Sequence, residues 1–196
     1  AAFGGLLSIG FEPAVEVERL GAPLGSFVLG DSREPKDTMA ILARVKNRVL
    51  AIARRLAERH PGFSLRTIDG LPDRGELGRF GGDLDGDERA LLDGTIRNRD
   101  LTREALRLLR EPSIDHRELG RLLNEHQTVL RDVLGISTPK IDRMLAAALR
   151  AGAYGGKING SGGGGCMFAY APDSADAVAR AIESAGGKAY IVRGDG

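Results

Sequence analysis

At 196 residues and 20.8 kDa, with 42% hydrophobic residues, the chain can build one ample core or two small ones without a disulfide or metal staple. Its 28 basic and 27 acidic side chains leave a formal charge of +1, which removes any global electrostatic case for binding nucleic acid or an anionic membrane. A single cysteine, Cys166, excludes an internal disulfide framework and fits a reducing compartment, so the cytoplasm is expected, and no apolar run approaches the ~20 residues that span a bilayer.

In chain order, AAFGGLLSIGF reads as mid-fold sequence without an initiator methionine, so the chain is expected to be a piece of something longer. Phe3 to Val17 is rich in strand formers broken by Gly4-Gly5, Gly10 and Pro13, which predicts a hairpin or two short strands. Gly25 to Leu29 predicts another strand. Pro35 to Thr38 then opens a long helix whose Ile41, Leu42, Val45, Val49, Ile52, Ala53 and Leu56 recur at the spacing of one buried stripe. Arg44, Lys46, Arg48, Arg54, Arg55 and Arg59 fill the other side. Without interleaved aromatics they read as a solvated face rather than a nucleic-acid arm.

His60-Pro61-Gly62 ends that helix, and residues 61–83 allow only short strands or loop. Asp83, Asp85 and Asp87 imitate a calcium loop, but Glu88 stands where the sharp turn needs glycine, so an acidic helix start is expected and no metal site. Two helices are predicted at 85–97 and 101–110, separated by Asn98-Arg99-Asp100. Asp115 to Leu134 is the clearest helix, with His126 inside its apolar stripe and read as a core residue. Ser137-Thr138-Pro139 caps the next helix, which Gly152 stops. A strand at Cys166 to Ala171, a helix capped by Asp173-Ser174 and a strand at Ala189 to Val192 complete a tail that reads helix, loop, strand, helix, strand.

The loop in that tail, within KINGSGGGGCMFAYAP (Lys157 to Pro172), carries five glycines between Gly160 and Gly165. Glycine reaches φ > 0 at little steric cost but loses the most entropy on folding, so such a run implies close approach of a phosphate or of other backbone. Gly160, Gly162 and Gly165 satisfy the dinucleotide spacing, yet that mechanism needs a strand before the loop and a helix after it, and the predicted order is reversed. The Walker A pattern fails too, because Lys157 lies upstream and Cys166 takes the trailing place.

The segment Lys157 to Cys166 strongly resembles the C-terminal glycine motif of the superfamily of galactokinase, homoserine kinase, mevalonate kinase and phosphomevalonate kinase (GHMP), close to K-[IL]-T-G-[AS]-G-[GF]-G-G-C. It departs at Asn159, where threonine is usual. Asn124 to Asp132 (NEHQTVLRD), with Ile136-Ser137-Thr138-Pro139 and Ile141-Asp142, is similar to the galactokinase segment before its glycine loop. Asp31 to Thr38 (DSREPKDT) looks more like mevalonate kinase, and Ala1 to Gly5 resembles the stretch after the catalytic aspartate of the sugar kinases. Together these span nearly the whole chain, leaning to galactokinase-like sugar kinases with some mevalonate-kinase features.

The resemblance implies an α+β fold, an antiparallel sheet flanked by helices, with residues 1–20 as remnant strands of an N-terminal domain and 21–196 as the C-terminal domain. It implies ATP and Mg2+ as cofactors, a sugar or mevalonate as small-molecule substrate, and the N-terminal half of the same kinase as partner. Monomer and homodimer both stay open. Gly160, Ser161, Gly162, Gly163, Gly164 and Gly165 are the implied nucleotide-site residues, and Lys157 and Asn159 the candidates for the substrate cleft. The superfamily's phosphate loop does not occur in the chain, and the general base is expected upstream of Ala1, so these 196 residues alone are expected to be inactive. A non-catalytic metabolite-binding relative is the alternative outside enzymes.

Overall fold

The computed structural model describes residues 5–11, 14–36, 38–61, 63 and 74–193. Ala1 to Gly4, Pro13, Asp37 and Gly62, each used in the readings above, lie outside the described residues. Strands β1 (Leu6–Gly10) and β2 (Glu16–Leu20) pair antiparallel as a separate two-stranded sheet, with Ile9 opposite Val17. Strand β3 (Ser26–Asp31) enters a four-stranded sheet with β4 (Gly155–Ile158), β5 (Cys166–Tyr170) and β6 (Lys188–Arg193), in the order β4-β5-β3-β6. Every pairing in it is antiparallel, so β5 and β6 run parallel on either side of β3 and the tail is a split βαβ unit.

The helices α4 (Pro139–Arg150) and α5 (Ala175–Ser184) cover one face of this sheet. Val28, Ile141, Met144, Met167, Ala169, Val178 and Ile182 are fully buried there. Strand β3 contributes Val28 and Gly30 to that face, and Gly30 must stay bare because a Cβ would lie 2.6 Å from Met167 Sδ. A second core joins α1 (Thr38–Arg59) to a 3-10 turn (Arg74–Phe80) and to α2 (Gly86–Arg110) through Ile52, Leu56, Leu77, Phe80, Leu92 and Ile96. Three arginines of the basic face of α1 meet acids around the start of α2: Arg48 with Asp87, Arg55 with Glu88 and Arg59 with Asp83. The face is solvated and locally neutralised.

Four expectations outside the glycine loop change. The two helices at 85–97 and 101–110 are one, α2. Asn98-Arg99-Asp100 contains neither proline nor glycine, so no backbone bond is lost there, and Arg99 is buried with its guanidinium on Asp100 while Thr102 Oγ1 donates back to Asn98 O. Within 61–83, residues Arg74–Phe80 form a 3-10 turn instead of strand or loop, because Leu77 and Phe80 reach the second core and Phe80 packs edge-on against His60 and Phe63. The long helix from 115 is α3 (His116–Thr128), capped by Asp115, and it widens into a π turn at Val129–Val133. Ser174 starts α5 without a side-chain cap bond, since its hydroxyl donates to Gly152 O. Among the described residues no helix is long and apolar enough to cross a membrane.

Candidate functional site

The glycine run is the turn of a β-hairpin. A strand, β4, precedes it where the sequence predicted the end of a helix, and β5 follows, with Asn159 N donating to Cys166 O at 2.8 Å across the base. Gly155 and Gly156 are poor strand formers that take strand geometry because other backbone passes beside them: a Cβ on Gly155 would stand 2.1 Å from Gly120 O. A strand before the loop satisfies half of the dinucleotide requirement. The absence of a helix after it still excludes that reading.

Gly160, Gly162, Gly163, Gly164 and Gly165 all have positive φ, between 71° and 112°. Space adds a second constraint, since a Cβ would lie 2.6 Å from Ile136 O at Gly162, 1.8 Å from Ile41 Cδ1 at Gly163, 2.7 Å from Pro35 O at Gly164 and 2.7 Å from Lys36 Cε at Gly165. What the loop presses against is therefore its own chain, on two sides. Gly163 N donates to Ile136 O at 2.7 Å, Gly165 N to Glu34 O at 3.2 Å, and Ser32 N to Gly165 O at 2.8 Å. The two flanks are themselves tied, because Thr138 Oγ1 donates to Glu34 Oε2 at 2.5 Å. Arg33, between Ser32 and Glu34, holds φ 57°, a left-handed conformation that costs energy in a non-glycine residue, with its amide on Asp31 Oδ1.

Two loop amides are thus committed to carbonyls. Those of Gly160, Gly162 and Gly164 have no partner among the described residues. Beside them stands Lys36, whose ammonium donates to Asn159 O at 3.3 Å and whose stem covers Gly165. Gly160 is exposed whereas Gly162 and Gly164 are buried, so the exposed glycine and the lysine alongside it are the part of the turn suited to an anion.

The other candidates separate from this cluster. Lys157 turns its half-buried ammonium onto Ile158 O at 2.9 Å and toward the Phe168 ring, and burial lowers its pKa. No carboxylate pairs with it among the described residues. Asn159 meets Lys36 and Cys166 through its backbone, Ser161 is half-buried within the turn, and Cys166 is half-buried at the start of β5. His126 lines an apolar cavity of about 320 Å³ between the β1–β2 hairpin, α2 and α3, together with Leu7, Leu106 and Leu122. Burial, with a smaller push from the Lys157 charge, takes His126 down to about 4, so it is neutral at pH 7.

Sequence reasoning missed Lys36, Glu34 and Thr138 as neighbours of the loop. Thr138 was legible as a helix cap, a role it also fills. The 104-residue separation between Thr138 and Glu34 leaves no periodic signal.

Residues 103–188 match the family model described as GHMP kinases C terminal. Over 76 residues the chain is 50% identical to a mevalonate kinase of Thermococcus onnurineus, which takes in 39% of this chain and 22% of that protein. It is 45% identical over 53 residues to galactokinase of Bos taurus, or 26% of this chain and 14% of that protein. Among solved structures, Lactococcus lactis galactokinase complexed with galactose superposes with a TM-score of 0.75 at 18% identity, covering 98% of this chain and 52% of that one. Mevalonate kinase of L. major in complex with R-mevalonate gives 0.55 at 18% identity, covering 98% and 49%. The chain spans about half the length of these structures, and their likeness establishes the α+β fold.

Proposed function

We propose, from the match of residues 103–188 to the GHMP kinases C terminal model, that the chain is the C-terminal part of an ATP-dependent kinase acting on a small-molecule hydroxyl. The observation that carries the reading is the clamped glycine loop, with the exposed Gly160, whose amide has no partner among the described residues, beside Lys36. Phosphoryl transfer asks mainly for positioning and for charge stabilisation around the transferring group, which such a wall supplies. ATP, when bound, supplies the γ-phosphoryl group. Gly160 and Lys36 would face its oxygens, while Gly163 and Gly165, tied to Ile136 and Glu34, keep the wall from yielding. Among the described residues no three His, Cys, Asp or Glu side chains stand together to hold a metal. No step is assigned to Mg2+.

Mevalonate is the favoured acceptor. The curated mevalonate kinases align at up to 51% identity over 73 residues, a longer and closer match than the 45% over 53 residues of galactokinase. That moves the reading from the sugar side of the superfamily, where the motif around Asn124 pointed, to the side indicated by Asp31 to Thr38. In this reading residues 1–20 belong to an upstream domain and 21–196 form the C-terminal one. The upstream half brings the general base and the main phosphate cradle, and the protein works in the cytoplasm. ADP release by a protein that includes the upstream half, measured with mevalonate, with galactose and with neither, tests it. Mevalonate-dependent release is expected, and none from the 196 residues alone. Release that follows galactose only would return the substrate to the sugar class, and no acceptor-dependent release would overturn the kinase reading.

A further inference from the structure

Helix α3 meets the outer edge of β4 as a neighbouring strand would. Strand β4 is the last in its sheet, and the amides of Gly156 and Ile158 point away from β5. Both are taken by side chains of the helix: Gly156 N donates to Asn124 Oδ1 at 3.1 Å and Ile158 N to Gln127 Oε1 at 2.8 Å. Asn124 Nδ2 donates in turn to Tyr154 O at 3.1 Å. Gly120, Asn124 and Gln127 fall at i, i+4 and i+7, one stripe of the helix. The bare position sits at the closest crossing, where a Cβ on Gly120 would lie 2.5 Å from Tyr154 O, and the two amides follow toward the loop.

Gln127 also reaches past the strand. Its side chain is buried, 6% exposed, and its Nε2 donates to Ser137 Oγ at 3.0 Å and to Asp142 Oδ1 at 3.4 Å, while Ser137 Oγ donates to the same carboxylate oxygen at 2.7 Å. An ionised carboxylate only accepts, so the NH2 end must face Asp142 and the carbonyl end must face Ile158. A carboxamide of this length is what offers a donor and an acceptor at both places. Ile158 is the last strand residue before the loop, and Ile136, next to Ser137, holds Gly163. Gln127 therefore bridges the start of the loop to the flank that holds its middle.

We propose that Gln127 is a positioning residue for the glycine loop, setting through Ile158 and Ser137 where Gly160 to Gly165 stand. Its catalytic consequence rests on the kinase reading, and its structural part on the hydrogen bonds alone. In the 196-residue chain, Gln127→Met keeps the volume and loses all three bonds. Amide exchange at Ile158 and Gly163 should quicken by about tenfold or more, with Phe168 in β5 unchanged. Gln127→Glu keeps the acceptor for Ile158 but sets two carboxylates together, and adding Asp142→Asn returns an N–H donor and should restore slow exchange. In a protein with the upstream half, Gln127→Met should lower kcat about 100-fold with KM for mevalonate within about twofold, and the Gln127→Glu, Asp142→Asn pair should recover most of it. Unchanged loop exchange, protection lost equally across β5 and β6, no rescue by Asp142→Asn, or faster exchange with unchanged kcat would each overturn the proposal. If the unmutated longer protein phosphorylates no acceptor, the kinase reading fails while the exchange measurements still decide whether Gln127 positions the loop.

Discussion

Between β4 and β5, five glycines of positive φ lie against Pro35, Lys36, Ile41 and Ile136 of the same chain, and three backbone bonds from the loop or its flank fix them. The β1–β2 hairpin does the opposite. Ile9, Phe11, Val15 and Val17 stand 47%, 71%, 68% and 47% exposed, and an ion pair from Glu18 to Arg110 ties the hairpin to α2. Single exposed apolar residues are ordinary, but four on one short hairpin give it an open apolar face. The contrast separates two kinds of information. The loop's shape is specified by contacts within these 196 residues, whereas the hairpin's outer face meets no apolar cover among the described residues. Perturbing the loop should therefore damage this chain itself, and perturbing the hairpin should not.

The largest effect is expected at Gly164. Its φ of 112° is closed to a β-branched residue, and the nearest obstacle, Pro35 O at 2.7 Å, is backbone that cannot swing aside. Gly164→Val should cost the isolated chain about 3 kcal/mol by urea denaturation, from strain and overpacking together. In a protein with the upstream half it should cut turnover about 100-fold. A variant with an unchanged urea midpoint would break the comparison, because the loop would then not be fixed by residues 34–36.

His126 stands between the two regions, lining the cavity under the hairpin and feeling the Lys157 charge on β4. Below the ordinary histidine value of about 6.5 the unfolded chain takes up a proton that the folded chain refuses until about 4. This group's contribution is therefore flat above pH 6.5 and falls by about 2–3 kcal/mol as the pH drops from 6.5 to 4. His126→Gln should lose that part of the pH dependence. The carboxylates held low by arginines, such as Glu118 and Asp132, also weaken the fold in acid, so the difference between the two proteins is the informative quantity. Equal slopes would mean that water reaches the ring and that the hairpin does not shield it.

Much of this was legible in the sequence, and the exceptions share a cause. The glycine run announced itself by composition, the stripe of α1 by period, and Thr138 by capping chemistry, all of which are local. What failed depended on distant partners. Gly155 and Gly156 become a strand because Gly120 lets α3 lie against them, α2 runs through a polar triplet because Leu101 and Ile96 on either side are both buried, and Glu34 meets Thr138 only after the sheet forms. Gln127 looked like one polar residue in a helix. Its importance comes from which edge that helix covers.

The smallest expected effect is the one that decides the comparison. Phe11→Ser with Val15→Thr removes two of the most exposed apolar side chains while keeping the Ile9 and Val17 pair that zips the hairpin. In the isolated chain the change should stay within about 0.5 kcal/mol, as for surface substitutions generally. With the upstream half present it should rise to about 2 kcal/mol or more, since burying Phe11 and Val15 is worth about 1.5–3 kcal/mol each when complete. Denaturation of both lengths, with and without the two substitutions, gives the difference directly. Equal costs at both lengths would mean that the upstream half leaves this face open, and a cost above about 1 kcal/mol in the short chain would mean that these residues already cover it themselves.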